Sequence, residues 1–321
     1  MAAPTPLVID CDPGIDDAVG LALALASPEV DLLAVTTVAG NAPLELTTAN
    51  ALRLLRAFGR EDIPVAAGAD RALVRIAVHN LQPPHGQNGL GGVDLPVGTR
   101  PAAKDHAVEL LARVLSEAAP RSVTIAAIGP LTNIALLLAL HPELAERIDR
   151  LVIMGGSTTR GNITPVAEFN IWTDPEAAQR VLAGSGLDVC LVGLDVTRRA
   201  TLDEPDLATL RTASTRGGLL ADMIDGYGDH GPAGWPLHDA LAIAAVVDPT
   251  LIETRGATIE VDTGVGVARG QTVCFFEPPK GKGVILGIPA PDVAPALRPR
   301  AQVAVEVDAA RFRELLLARI G

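Results

Sequence analysis

The chain has 321 residues, 48% of them hydrophobic and 2% aromatic, and carries a formal net charge of −12. Length and apolar content are ample for a large buried core. The acidic balance disfavours nucleic acid and anionic membranes as partners, and so few aromatics leave almost no stacking platform for single strands.

The N-terminal stretch "MAAPTPLVID" has no basic segment ahead of its apolar run, so no secretory signal is expected. "PLVID" reads as a first strand and "DDAVGLALALAS" as the helix after it. "VDLLAVTTVAG" is a second strand, "PLELTTANALRLLRAFG" a helix and "PVAAG" a short strand. Residues 75–101, "RIAVHNLQPPHGQNGLGGVDLPVGTRP", form a long loop rich in Gly and Pro, of the kind that often covers an active site. "AVELLARVLSEA" is an amphipathic helix, "SVTIAAIGP" a strand and "LTNIALLLALHP" a helix for which Thr132 is the expected cap. "RLVIMGGS", "PEAAQRVLAGS" and "DVCLVGLDVT" continue the alternation. "GDHGPAGWP" (228–236) is a second candidate cover, and "ATIEVDT" and "QVAVEVD" read as edge strands or a hairpin.

Unbroken apolar strands are buried on both faces, and their alternation with helices predicts a mainly parallel sheet. The expected fold class is α/β, a single domain over 1–321 with a mixed, mostly parallel central sheet flanked by helices. Runs such as "IALLLAL" are too short to span a bilayer, so a cytoplasmic protein is expected. Cys11, Cys190 and Cys274 lie far apart with no CxxC spacing, so neither a zinc site nor a disulfide framework follows.

Ligands of open α/β sheets bind at the carboxyl ends of the strands, where this chain concentrates its polar residues. "DCDPGIDDA" places Asp10, Asp12, Asp16 and Asp17 within eight positions after an apolar run. Two like charges about 4 Å apart repel by roughly 4 kcal/mol at an effective dielectric near 20. One Asp can cap a helix, but four beside a buried strand exceed what capping needs, and a hard oxygen-liganded cation, Ca2+ or Mg2+, answers the charge. The spacing is not that of an EF-hand, because Gly14 stands at the fifth position. Asn41 follows the second strand, "GPLTN" follows "VTIAAI", and "GGSTTRGNITPVAEFN" brings Asn162, Glu168 and Asn170, groups suited to sugar hydroxyls. His85 lies in "PPHGQNGL", and His238 and Asp239 open an apolar helix. Cys11, between two aspartates, reads as a small buried residue with a raised thiol pKa.

Three functions fit these residues. One is metal-assisted hydrolysis of a riboside. Another is a haloacid-dehalogenase-like phosphatase, which also places DxD after a strand; here Pro13-Gly14 follow, and Lys104, Lys280 and Lys282 include no convincing catalytic lysine. The third is a Ca2+-dependent nucleoside- or sugar-binding protein without turnover.

"DCDPGIDDA", "TTVAGN", "GPLTNIA", "VIMGG…GN…AEFN" and "HDALAI", in that order, resemble the inosine–uridine-preferring nucleoside hydrolase family nearly end to end. The resemblance implies a ribonucleoside hydrolase with one Ca2+ per chain, assembled as a homodimer or homotetramer. It implies Ca2+ held by Asp12, Asp17, the Ile128 carbonyl and Asp239, with Asp12 also the general base. Asp16, Asn41, Asn162, Glu168 and Asn170 would grip the ribose, Met154 would lie beneath it, and Asp10 would orient its neighbours. His85 and His238 would face the nucleobase, with His238 the candidate acid; Tyr227 and Trp235 are stacking candidates. Purine or pyrimidine preference stays open at this level.

Overall fold

The computed structural model describes residues 3–75, 84–228, 233–276 and 301–321, together with the short strands at 284–285 and 288–289. Parts of both expected covers, residues 76–83 and 229–232, lie outside this set.

The apolar run after Pro4 becomes β1 (Thr5–Cys11), and "PG" turns the chain into α1 (Ile15–Ala26). β2 (Val30–Thr37), α2 (Leu44–Ala57) and β3 (Val65–Ala67) build one side of the sheet. The chain then crosses to the other side of β1 with α3 (Ala107–Glu117), β4 (Val123–Ala127), α4 (Thr132–Leu140) and β5 (Ile148–Met154). α5 (Phe169–Thr173), α6 (Pro175–Gly184), β6 (Val189–Val192) and α7 (Leu194–Thr197) follow. β7 (Thr201–Leu202) pairs with β8 (Trp235–Pro236) across α8 (Glu204–Ala213) and α9 (Thr215–Asp225). α10 (His238–Val247) leads to β9 (Ile252–Val261) and β10 (Thr272–Phe275). The two-residue strands β11 (Val284–Ile285) and β12 (Ile288–Pro289) precede β13 (Ala301–Val307) and α11 (Ala309–Ile320).

Nine strands form the central sheet in the order β10-β9-β13-β6-β5-β4-β1-β2-β3. Pairing is parallel from β13 to β3 and antiparallel at β9 and β10, so the sheet is mixed and mostly parallel. The period-two alternation of strand side chains splits the core between the two faces. Leu7, Ile9, Ala126, Val152 and Met154 pack with α1 and α10, whereas Val8, Ile125, Leu151 and Ile153 pack with α3, α4 and α6. α1 is buried from Ile15 to Ala24, which holds the end of β1 rigidly.

Two expectations change. Thr132 does not cap α4: Leu131 occupies the cap position, which makes Thr132 the first helical residue, and the Thr132 hydroxyl donates to Asp174 Oδ2 at 2.7 Å. "QVAVEVD" is not an edge strand, since β13 is paired on both sides, and β9 forms its hairpin with β10 instead. The helices α8, α9 and α11 complete one face of the sheet, and their weak apolar periodicity hides them in the sequence.

Candidate active site

Strand order reverses at β1: β2 and β3 lie on one side, β4 and β5 on the other. That is the crevice where α/β sheets bind ligands. Asp12 follows β1, Asn41 follows β2, Ile128 follows β4, and Met154 ends β5, so the crevice is lined from four adjacent strands.

Asp17 ties the first turn of α1 to the end of β1. Its Oδ1 accepts from the Asp12 N–H (3.2 Å) and its Oδ2 from the Gly14 N–H (2.8 Å) and Asn41 Nδ2 (3.2 Å). Asp12 Oδ2 accepts from the Asn41 N–H at 2.6 Å, while the buried Oδ1 has no hydrogen-bond partner among the described residues. A Cβ on Gly40 or Gly129 would run into this carboxylate, so glycine at both positions lets the strand ends close around it. Asp10 Oδ1 accepts from Thr36 Oγ1 (2.6 Å) and Asn133 Nδ2 (2.8 Å); Asn133 also donates to the Thr37 carbonyl and accepts from the Ala69 N–H. Asn133 therefore laces together the ends of three strands, a role its place in "GPLTN" did not announce.

Asp16, Asp17 and Asp239 present oxygens within 4.8 Å of one another, all buried. Burial first, then the charges of Asp16, Asp17 and Asp12, pushes Asp239 well above the usual carboxylate range. Burial first, then the charge of Asp17, does the same to Asp12. Asp17 is raised to about 7, chiefly by burial with the charge of Asp16 adding, and Asp10 to about 7 by burial against the pull of its two donors. Asp17 and Asp239 lie within side-chain hydrogen-bond reach, an approach that calls for a shared proton or a cation between them. Among the described residues no lysine or arginine pairs with these carboxylates. The donor set is all oxygen, with an orphaned Asp12 oxygen on its rim, which fits a hard divalent cation. Cys11 is buried, and burial more than the surrounding aspartates raises its thiol pKa; its Sγ–H points to the Thr36 carbonyl.

The carboxylate cluster borders a cavity of about 460 Å3 lined by Asp16, Asn41, His85, Ile128, Met154, Asn162, Glu168, Asn170, Tyr227, His238 and Asp239. The volume is within the range of small-molecule sites. Glu168 caps α5, accepting from the N–H groups of Asn170, Ile171 and Gly156 at 2.9–3.1 Å, and burial raises its pKa against these bonds. Asn170 Nδ2 donates to the carbonyls of Ile128 (2.9 Å) and Met154 (3.2 Å), which turns its Oδ1 into the acceptor left for a ligand.

His85 Nδ1 accepts from the Ile15 N–H at 3.1 Å, so the ring proton sits on Nε2. Burial lowers its pKa, with Asp16 opposing, and the ring is neutral near pH 7. Tyr227 donates to Asp16 Oδ1 at 2.7 Å and tilts against His85 with ring centroids 5.2 Å apart. His238 Nδ1 lies 2.7 Å from Thr197 Oγ1. Trp235 is 7% exposed, belongs to the apolar core, and donates to the Gly228 carbonyl at 2.9 Å, and it is not among the described residues that line the cavity. Thr197 and Asn133 are site-shaping residues that sequence reasoning missed; their partners are 41 and 123 residues away.

A carboxylate cradle at a sheet's switch point, opening into an amide-lined cavity, defines an α/β enzyme built around a polyhydroxylated substrate. A family model described as inosine-uridine preferring nucleoside hydrolase matches residues 7–314. A pyrimidine-specific ribonucleoside hydrolase, RihA, of Citrobacter koseri is 41% identical over 325 residues, covering 98% of each chain. Among solved structures, the plant nucleoside hydrolase PpNRh1 superposes with a TM-score of 0.88 at 33% identity over 99% of each chain. A purine-preferring ribonucleoside hydrolase from Gardnerella vaginalis does so with a TM-score of 0.86 at 33% identity over 98% of each chain. The chain belongs to the inosine-uridine preferring nucleoside hydrolase family, and its reaction is hydrolysis of the N-glycosidic bond of ribonucleosides. The phosphatase and the binding protein without turnover are thereby set aside. Among the described residues no helix is long and apolar enough to cross a membrane.

Proposed function

We propose that the enzyme is Ca2+-dependent and favours pyrimidine ribonucleosides, with Asp12 as general base. The observation that carries this reading is the buried, unpartnered Oδ1 of Asp12 beside a carboxylate cluster whose oxygens lie within 4.8 Å. Asp12, Asp17, Asp239 and the Ile128 carbonyl would hold the ion. A cation there supplies a water of lowered pKa and a template for the ribose diol. Asp12 Oδ1 takes the proton from the attacking water, since no other donor competes for that oxygen. Asp16, Asn41, Asn162, Glu168 and Asn170 orient the sugar, and Met154 forms an apolar floor under it. The surrounding carboxylates favour the positive charge that develops on the ribosyl ring as the N-glycosidic bond breaks.

His238 stands at the base end and donates to the departing nucleobase, while the neutral His85 offers an Nε2–H and Tyr227 an aromatic face. The pyrimidine preference rests on likeness to the Citrobacter koseri enzyme. Assembly as a homodimer or homotetramer of one-domain chains belongs to the same proposal.

The test is kcat/KM for uridine, cytidine, inosine, adenosine and guanosine, with metal analysis of the purified protein. The expected result is uridine and cytidine ahead by at least about tenfold and about one Ca2+ per chain. Inosine or guanosine leading would overturn the preference, and a fully active metal-free enzyme would overturn the Ca2+ requirement.

A further inference from the structure

The segment between β5 and α5 walls the sugar end of the cavity and presents Asn162 and Ile163 to it. Its hydrogen bonds largely close on themselves. The Gly161 N–H meets the Pro165 carbonyl (3.0 Å), the Asn162 N–H meets the Ala167 carbonyl (3.1 Å), and Thr164 Oγ1 accepts from the Ala167 N–H (2.9 Å). A coil satisfied in this way has a shape, but these bonds do not aim it at the sheet.

The aim comes from α7 and the residue after it. Asp195 accepts from the Thr158 N–H (2.7 Å) and Thr159 Oγ1 (2.7 Å) at the start of the segment. Arg198 donates from Nη1 to the Arg160 carbonyl (3.0 Å) and from Nη2 to the Gly161 carbonyl (2.6 Å). The Gly161 carbonyl and the Asn162 N–H belong to one planar peptide unit. That plane is pinned at one edge by Arg198 and at the other by the Ala167 carbonyl, so the direction of the Asn162 side chain is set. The Phe169 N–H then takes Asn162 Oδ1 at 2.9 Å. A donor at that atom identifies it as oxygen, which leaves the Nδ2 hydrogens as the groups available to a ligand.

We infer that Arg198 is a positioning residue for the sugar end: its two-carbonyl clamp aims the Asn162 amide at a ribose hydroxyl. A guanidinium suits the task because its planar fork reaches two successive carbonyls at once, which a single ammonium cannot do with fixed geometry. The inference rests on the reading that the ribose lies against Asn162.

Kinetics of R198M, R198K, N162A and R198M/N162A on the best ribonucleoside of the panel, with melting temperatures, test it. R198M raises KM by about tenfold while kcat stays within about threefold, because the contact acts on substrate binding. R198K falls between wild type and R198M, and it carries the test if R198M does not fold. The double variant is no worse than N162A alone, since both changes remove one interaction. A wild-type KM in R198M, or effects that multiply in the double variant, would overturn the clamp. If N162A itself behaves as wild type, the placement of the sugar against Asn162 is wrong and the clamp falls with it; a damaged N162A beside an unaffected R198M overturns the clamp alone.

Discussion

The floor of the cavity and its nucleobase end are built differently. At the floor, Asp10, Asp12 and Asp17 come from one strand–turn–helix unit, and Asp10 Oδ1, Asp12 Oδ2 and both Asp17 oxygens meet backbone or buried side-chain donors at 2.6–3.2 Å. Where the proposal seats the nucleobase, His85, Tyr227 and His238 come from three separate parts of the chain, with Ile15, Asp16 and Thr197 among their partners. In the proposed mechanism the floor handles what every ribonucleoside shares, the sugar and the bond to be broken, and the base end handles what differs between substrates. The floor carboxylates are close neighbours in the chain, whereas the proposed base contacts are gathered from the loop at His85, the end of α9 and the start of α10.

The sharpest way to break this contrast is at Asp12. Asp12→Asn keeps the shape and the Asn41 contact but removes the proton acceptor, so kcat on uridine falls by roughly 10^4-fold while the melting temperature moves by only a few degrees. Stopped assays and calorimetry on the same sample check both halves, and activity near wild type would remove Asp12 from the mechanism.

Removing the metal tests the floor as a whole. Dialysis against a chelator lowers activity by roughly a thousandfold, the equivalent of several kcal/mol of lost charge stabilisation, and Ca2+ restores it. Stability carries a second signature. An unfolded aspartate titrates near 3.9, whereas Asp10 and Asp17 in the metal-free fold titrate at about 7. Between those values the fold holds more protons than the unfolded chain. The contribution of these two groups to the stability of the metal-free protein is therefore fully present below about pH 4 and is lost as pH rises through about 7. Ca2+ replaces those protons, so the rise in melting temperature on adding Ca2+ grows across the same window. A Ca2+ effect that is flat with pH would count against a cation among these carboxylates.

The base end gives the smallest and most selective effect. His238→Ala lowers kcat on uridine by about a hundredfold but leaves hydrolysis of a nitrophenyl riboside within a few-fold, because a good leaving group needs no proton. Equal losses on both substrates would mean that His238 shapes the cavity without assisting departure.

Much of the floor is legible in the amino-acid sequence. "DCDPGIDDA" states its own problem, since negative charge at the end of a buried strand demands a compensating partner, and strand–turn–helix geometry holds the cluster together locally. The alternation of apolar strands and helices likewise announces a mostly parallel sheet. The base end is legible only as a set of candidates. Tyr227 reaches the cavity and Trp235, eight residues on, packs in the core, a difference that no local pattern in "YGDHGPAGW" encodes.

The sequence by itself announced the carboxylate cluster of the floor, because Asp10, Asp12, Asp16 and Asp17 are neighbours along the chain and the cost of crowding them is local, whereas Asp239 joins them only in the fold. It also determined the class of sheet, because burial on both faces writes itself into unbroken apolar runs. Only the tertiary structure decided that Asn133 laces three strand ends, that Thr197 meets His238, and that Arg198 reaches back to the peptide before Asn162. Those contacts join residues tens of positions apart, and they exist only once the parallel strands have brought their carboxyl ends to one edge.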